Sequence, residues 1–384
     1  MDERADLVII GGGLAGLSLA MRLARGGYPG RVQILEPRTA YTDDRSWAFW
    51  TPVASVLPAP ASRRWTRWQF ATQDGAHVDC SAEGWHYAYV RALDFYGAAL
   101  DAIASRPDFN LVPGTVVGAI ESRDGALCIS TGSGNVTARW VVDTRPPEPA
   151  RFSGSTLFQC FAGREILFDR PRLDDRRVEL MTDMRADALG LVFTYVLPLS
   201  PKRALVEATR FSTRALGPLQ LSADLDGLLS RRGWTRAQVL RSEGAALPMG
   251  LPEPGTRPLP GVVRAGQGGG ALRAASGFGF VRVQAWAERC ARALLHGQAP
   301  VGHPPEPWLR GWMDRVFLHA LTRYPQRSPE FFLRLAQAVP GDALVRFMSD
   351  QGSWRDHARV VAALPPAPFL QSLQGAVLGS GRSA

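Results

Sequence analysis

The chain has 384 residues, 46% of them hydrophobic and 21% charged, with 39 Gly and 29 Pro; this is the make-up of a globular α/β protein with room for two or three domains, and it excludes a disordered chain. The formal net charge is +9 and Lys202 is the single lysine among the 44 Lys and Arg, so the surface is arginine-rich and drawn to anionic membrane surfaces or nucleic acid, although no nucleic-acid motif is present. Cys80, Cys128, Cys160 and Cys290 stand far apart and the six His show no metal spacing, which excludes a disulfide framework and a zinc ribbon and fits a reducing cytoplasm.

Residues 6–35 read as one βαβ unit. A short buried strand at 7–10 runs into a Gly-rich turn. A helix over 14–24 stops at Gly26-Gly27, and a second strand covers 32–35. The start therefore reads as a strand leading into a loop rather than as a signal peptide. A region rich in Trp47, Phe49, Trp50, Trp65 and Trp68 follows, then a helix over 93–103 and short strands over 110–142. Pro146-Pro147-Glu148-Pro149 marks a crossing into a second domain with strands at 157–161, 191–197 and 204–211. A second Gly-rich loop at 264–270 precedes a helix over 280–295. From 307 onward the chain reads as helical, broken at Ser328-Pro329 and Pro340-Gly341. The expected architecture is α/β: a Rossmann-like dinucleotide domain (1–150 and 259–300), an antiparallel-sheet substrate domain (151–258) and a helical region (301–384). No run of about 18 apolar residues is present to span a bilayer.

Gly11, Gly13 and Gly16 form a G-x-G-x-x-G pattern with a strand before it and a helix after it, and Glu36 closes the second strand. Gly11 permits the tight turn, Gly13 lets the backbone approach a pyrophosphate, and Gly16 lets helix and strand pack closely. The helix N-terminus offers amides to phosphates, and Glu36 offers a carboxylate to ribose hydroxyls. NAD or FAD fits that unit equally. Tyr89-Val90-Arg91 with Asp94, the strand ending Val141-Val142-Asp143, and the late Gly266, Gly268 and Gly269 loop resemble the elements that hold FAD in the two-domain flavoprotein superfamily. Thr144 and Gln267 depart from that pattern, where Gly and Asp are usual.

An ordered set of further motifs resembles the flavoprotein type of lycopene cyclase over almost the whole chain. It comprises Asp44-Arg45-Ser46-Trp47-Ala48-Phe49, Phe158-Gln159-Cys160-Phe161-Ala162-Gly163-Arg164-Glu165, Leu180-Met181-Thr182-Asp183-Met184-Arg185, Leu197-Pro198-Leu199-Ser200-Pro201 with Ala204 to Thr209, Glu243 to Met249, and Ser276-Gly277-Phe278. The resemblance implies a redox-neutral isomerase that closes a β-ionone ring at one or both ends of an acyclic carotenoid, taking lycopene to γ- or β-carotene. It further implies FAD in its reduced form with NAD(P)H as electron donor, and Gly277 near the flavin. The chemistry requires an acid for a terminal double bond, a site that tolerates a tertiary carbocation, and a base for a ring proton.

Glu207 is the first candidate for the acid. On a strand over 204–211, Leu205, Glu207, Thr209 and Phe211 share a face, and a carboxyl among apolar neighbours has a raised pKa. The alternative is a wet face and a solvated side chain. Asp183 and Arg185 are further catalytic candidates, or a plain surface pair. Trp47, Phe49, Phe158, Tyr195 and Phe278 are candidates to line a polyene tunnel and face its cation. The 307–324 segment, apolar on one side with Arg310, Arg315 and Arg323 interspersed, reads as an interfacial helix or as a core helix, and 63–68 as a second membrane contact. A redox flavoenzyme, such as a flavin hydroxylase or a prenyl-chain reductase, and a non-catalytic binding protein are the competing classes.

Overall fold

The computed structural model describes residues 4–123, 125–146, 157–250 and 258–378. Strand β1 (Ala5–Ile10), helix α1 (Leu14–Arg25) and strand β2 (Val32–Leu35) form the expected βαβ unit. Leu17, Leu19, Met21 and Leu23 are buried on α1, which ends at Gly26 and a left-handed Gly27 with Arg22 and Arg25 over the negative end of its dipole.

Beyond this unit lie β3 (Ser46–Pro52), β4 (Arg63–Trp65), β5 (Arg67–Thr72), β6 (His77–Ser81) and β7 (Trp85–Arg91), followed by α2 (Ala92–Ala104). Then come β8 (Phe109–Val112), β9 (Val117–Arg123), β10 (Ala126–Thr131) and β11 (Gly134–Asp143). The first sheet has the order β8-β2-β1-β11-β10-β9, with β17 (Val262–Arg264) beside β11. β1 is parallel to both β2 and β11, and Ile10 pairs with Asp143. Leu7 and Ile9 pack with α1, α2 and α4 (Phe280–Leu295), while Val8 and Ile10 pack with the meander side, Leu127, Ile129 and Val141.

The second sheet is built from β12 (Leu157–Leu167), β13 (Arg177–Asp187), β14 (Gly190–Ser200), β15 (Arg203–Ser212) and β16 (Gln238–Met249), in the order β16-β12-β15-β14-β13-β5-β6. Both of its central faces are covered. Cys160, Ala162, Val206 and Ala208 pack on α3 (Ser222–Arg231) through Leu225, Leu228 and Leu229. The opposite face looks into a cavity roofed by α5 (Trp308–Arg323), α6 (Ser328–Ala338), α7 (Gly341–Met348), α8 (Trp354–Ala363) and α9 (Pro366–Leu378).

Three expectations change. β5 pairs in parallel with β13, so residues 67–81 belong to the substrate-side sheet although they lie within the segment assigned to the dinucleotide domain. Trp65 and Trp68 are fully buried, which removes the 63–68 segment as an exposed aromatic contact. The C-terminal region breaks twice more than the prolines at 329 and 340 foretell, at 349–353 and at 364–365. From Pro147 on, the expected crossing at 146–149 lies outside the described residues.

The two glycines of the first loop separate a packing role from an open one. A Cβ on Gly16 would lie 1.9 Å from the Gly11 carbonyl oxygen, whereas a Cβ on Gly13 would meet nothing within 4 Å. Gly16→Ala should therefore destabilise by about 1–3 kcal/mol, the usual cost of forced overpacking, and Gly13→Ala should leave the thermal midpoint of the ligand-free protein nearly unchanged. Differential scanning fluorimetry of the two variants checks this, and equal midpoints would refute the packing role of Gly16.

Candidate active site

The loop after β1 is held from outside. The Gly12 amide donates to Glu36 Oε2 at 2.5 Å, and the Gly12 carbonyl accepts from Tyr41 Oη and Arg38 Nη2, each at 3.0 Å. Burial disfavours the Glu36 charge. Hydrogen bonds from the Arg38 side chain and backbone and from the Gly12 amide outweigh it and hold this carboxyl below its usual range. No side chain caps α1 at Gly13, and a Cβ there would meet nothing within 4 Å, so the helix N-terminus with its free first-turn amides is a cradle suited to a pyrophosphate. Across from it, Gly266 opens a short turn through Gly269 with left-handed φ, and its amide donates to His303 Nε2 at 3.1 Å. Burial, then Arg289 and Arg282, push the His303 imidazole down to about 4, so it accepts as a neutral ring stacked on Trp286.

Beside these loops lies a cavity of about 600 Å³. One wall is the inner face of the second sheet. Leu205, Glu207, Thr209 and Phe211 all line it, as the alternation along β15 predicts, with Phe193 and Tyr195 from β14 and Gln159 and Phe161 from β12. Trp47, Phe49 and Trp50 of β3 and the Gly277–Phe280 segment form a second wall. Trp312, Met313, Phe317, Phe332 and Phe369 close it from the C-terminal helices. The lining is overwhelmingly apolar. Among the described residues Gln159 Oε1 and Thr209 Oγ1 are buried there without a hydrogen-bond partner, and Tyr87 and Tyr195 hold each other's hydroxyls at 2.7 Å.

Two carboxyls meet in this wall. Gly163 of β12 pairs with Glu207 on one side and with Glu243 on the other. A Cβ on Gly163 would stand 2.9 Å from Glu207 Cγ and 3.4 Å from Glu243 Cγ, so the missing side chain is what lets the two reach each other. Glu243 is ion-paired with Arg241 Nη1 and accepts from Ser46 Oγ at 2.9 and 3.0 Å. Arg241 also holds the fully buried Glu165 at 2.6 Å and the Tyr89 hydroxyl at 2.7 Å, and lies 3.3 Å from Asp43. Arg203 pairs with Glu165, and Arg91 with Asp43. Among the described residues Glu207 makes no ion pair. Burial, reinforced by the Glu243 charge and the hydrogen bond to it, drives the Glu207 carboxyl well above its usual range against the opposing pull of Arg241. Burial likewise raises Tyr195 and Tyr87, so both phenols stay neutral.

Several expected site residues fall elsewhere. Asp183 sits in a β-bulge with φ 51°, turned to the Arg232 side, where its carboxylate accepts from Thr194 and from Arg232, each at 3.1 Å. Neither Asp183 nor Arg185 lines the cavity. Phe158 does not line it either, since it is on the α3 face. Asp143 ends β11 as expected, but its carboxylate is engaged by Arg145 at 2.8 and 3.0 Å. Arg91 is spent on Asp43, 3.1 Å from Nε. Gly277, with left-handed φ, turns against Gln159 at the cavity wall. Helix α5 packs much of its apolar side inward through Val316, Leu318 and Leu321, leaving Trp308 exposed at its start.

Glu243 and Arg241 received no role from the sequence, although both stand in or beside a quoted motif. Their signal is the two-residue spacing, which puts both on one face of a strand, but nothing local says that β16 lies next to Gly163.

A family model described as "Lycopene cyclase protein" matches residues 6–374. The chain is similar to a lycopene beta-cyclase from Paracoccus sp. (strain N81106 / MBIC 01143), with 28% identity over 393 residues covering 95% of each chain. It is similar to one from Pseudescherichia vulneris, with 25% identity over 97% of each. It is also similar to one from Pantoea ananas, with 27% identity over 62% of this chain and 64% of that protein. Among solved structures it resembles a geranylgeranyl bacteriochlorophyll reductase-like protein from Thermoplasma acidophilum (TM-score 0.62, 12% identity, 97% of this chain and 99% of that one). It also resembles the halogenase PltM solved with FAD (TM-score 0.55, 14% identity, 100% and 93%). These structural likenesses speak for the fold, a Rossmann-like domain joined to a substrate-side sheet. The chain belongs to the lycopene cyclase family.

Proposed function

We propose that this protein is an isomerase that closes the end ring of an acyclic carotenoid, converting lycopene to γ- or β-carotene by acid-initiated cyclisation. The observation that carries this is a buried carboxyl, Glu207, without an ion-pair partner among the described residues, in the wall of an apolar, aromatic-lined cavity, where burial drives it well above its usual range. A carboxyl kept protonated by desolvation is a proton donor available at neutral pH. Proton transfer from Glu207 to a terminal double bond creates a tertiary cation. The neighbouring double bond attacks it to form the ring carbon–carbon bond, and loss of a ring proton restores a double bond. Atoms and electrons balance within the substrate. The dry wall makes attraction between the new carboxylate and the cation strong, and Trp50, Phe278 and Tyr195 offer π faces to positive charge.

The loops fit FAD. The Gly11–Gly16 loop and the α1 amides would hold its pyrophosphate, the β2 end around Glu36 its ribose, and the turn through Gly266, Gly268 and Gly269 with Gly277 the flavin side. Asp143 and Arg91, bound to Arg145 and Asp43, would act there only by bracing the loops. Reduced FAD, maintained by NAD(P)H, would supply an electron-rich ring system beside the cavity with no net electron transfer to product.

The substrate class also supports a peripheral contact with the membrane at the cavity mouth. Val361 and Leu370 line the cavity yet are 57% and 61% exposed, with exposed Trp354 and Arg355 on the same helix as Val361. Among the described residues no helix is long and apolar enough to cross a membrane.

Three outcomes are expected. Glu207→Gln should retain flavin and lower conversion of lycopene by about 10²–10⁴-fold, read by pigment analysis with NAD(P)H consumption not tracking product; parental activity in this variant would remove Glu207 as the acid. Parental protein should release FAD on acid precipitation, and Gly13→Val should lose it, because the side chain enters the pyrophosphate path. Val361→Glu with Leu370→Glu should weaken pelleting with anionic liposomes at low salt, and unchanged pelleting would move the contact away from the mouth.

A further inference from the structure

Among the described residues the cluster behind Glu207 is short of one positive charge. Four carboxyls, Glu207, Glu243, Glu165 and Asp43, gather around three guanidiniums, Arg241, Arg203 and Arg91, and each guanidinium is spent on a carboxylate other than Glu207. Ser46 gives its one hydroxyl proton to Glu243 and not to Glu207. Across Gly163 the two carboxyls stand side by side in the cavity wall, and both line the cavity. Two adjacent buried carboxylates cannot both be charged cheaply, so one proton is shared between them.

We propose that Glu207 and Glu243 work as one acid–base pair holding a single proton, with Arg241 as the positioning residue that places the charge on Glu243 and the proton on Glu207. This rests on the cyclisation reading and adds the fate of the second proton. The Glu207 O–H bond breaks as a C–H bond forms at the terminal alkene carbon. The pair is then doubly negative and faces the ring cation. A ring C–H bond breaks, its electrons become the ring double bond, and its proton returns to a carboxylate oxygen of the pair. The cavity needs no proton from bulk water in a turnover, and the pair ends as it began.

Tyr195 on β14 is directly across from Glu207 and bonded to Tyr87 of β7; Tyr89 of β7 is held by Arg241. Glu165 on β12 is neutralised by Arg203 and Arg241, and Asp43 by Arg91. The phenols carry no charge, so they do not compete for the proton.

The test is the pH dependence of lycopene conversion in the flavin-loaded parent and in Glu243→Gln, Arg241→Lys and Arg241→Met. The alkaline limb of the parent reports loss of the Glu207 proton. Removing the negative neighbour should move that limb to lower pH in Glu243→Gln, with a rate loss of about 10²-fold or more. Removing the positive neighbour should move it to higher pH in Arg241→Met, and Arg241→Lys should restore it toward the parent. Rates that fall with the limb unmoved in both Glu243→Gln and Arg241→Met would reduce these residues to structural supports and overturn the pair. Where Arg241→Met does not fold, infrared spectroscopy decides instead. The parent at neutral pH should show a protonated-carboxyl C=O band that Glu207→Gln loses and Glu243→Gln keeps; a band lost in Glu243→Gln and kept in Glu207→Gln overturns the assignment. Parental activity in Glu207→Gln would sink the acid reading itself, whereas an inactive Glu207→Gln with unmoved limbs in the other variants sinks only the pairing.

Discussion

One physical constraint organises the cavity wall: a carboxyl, Glu207, is buried among apolar side chains with no ion-pair partner among the described residues. Removing a charge from water into such surroundings is costly unless a partner of opposite sign is present, and the cheaper course is to keep the proton. Glu207 is denied an arginine, while its neighbour Glu243 is given Arg241 and the Ser46 hydroxyl. The same guanidinium reaches Glu165, which is completely buried, so the cluster tolerates its negative charges only as a connected set. Breaking one partner out of such a set typically costs about 3–5 kcal/mol, because an uncompensated charge stays behind.

The fold serves this constraint by bringing distant strands together. β12 is the middle strand between β15 and β16, and Gly163 is the gap through which their carboxyls meet. The outer face of β12 and β15 is covered by α3 through Leu225, Leu228 and Leu229. On the inner face, β3 and the Gly277–Phe280 turn tie the cavity to the dinucleotide domain, and Phe280 also begins α4, which packs beside α1. Arg273, buried against Asp314 with its guanidinium 4.3 Å from the Phe347 ring, fastens the Gly-rich turn region to α5 and α7. The ligand loops, the carboxyl pair and the helical roof thus form one continuous wall.

Patterns whose cause is local were legible. The βαβ unit with its three glycines, the Glu36 closure, the helix over 280–295 and the shared face of Leu205, Glu207, Thr209 and Phe211 follow from turn chemistry and from the two-residue period of a strand. Where the cause is pairing with a distant segment, reading from the chain alone went astray. Asp183 was a catalytic candidate or half of a plain surface pair; it stands in a β-bulge with its carboxylate against Thr194 and Arg232 and does not line the cavity. Trp65 and Trp68 looked like surface aromatics, but β5 is captured by β13 and buries them.

The amino-acid sequence by itself determined the dinucleotide unit, the family and the face on which Glu207 lies, since each depends on residues within a few positions of one another or on an ordered set of short motifs. Only the tertiary structure decided that this face is dry, that Glu243 stands across Gly163 from Glu207, and that Arg241 serves Glu243, Glu165 and Asp43 together. Burial and ion pairing are set by strand register between segments scores of residues apart, and a protonation state follows from the full set of charges in reach rather than from any one residue and its neighbours in the chain.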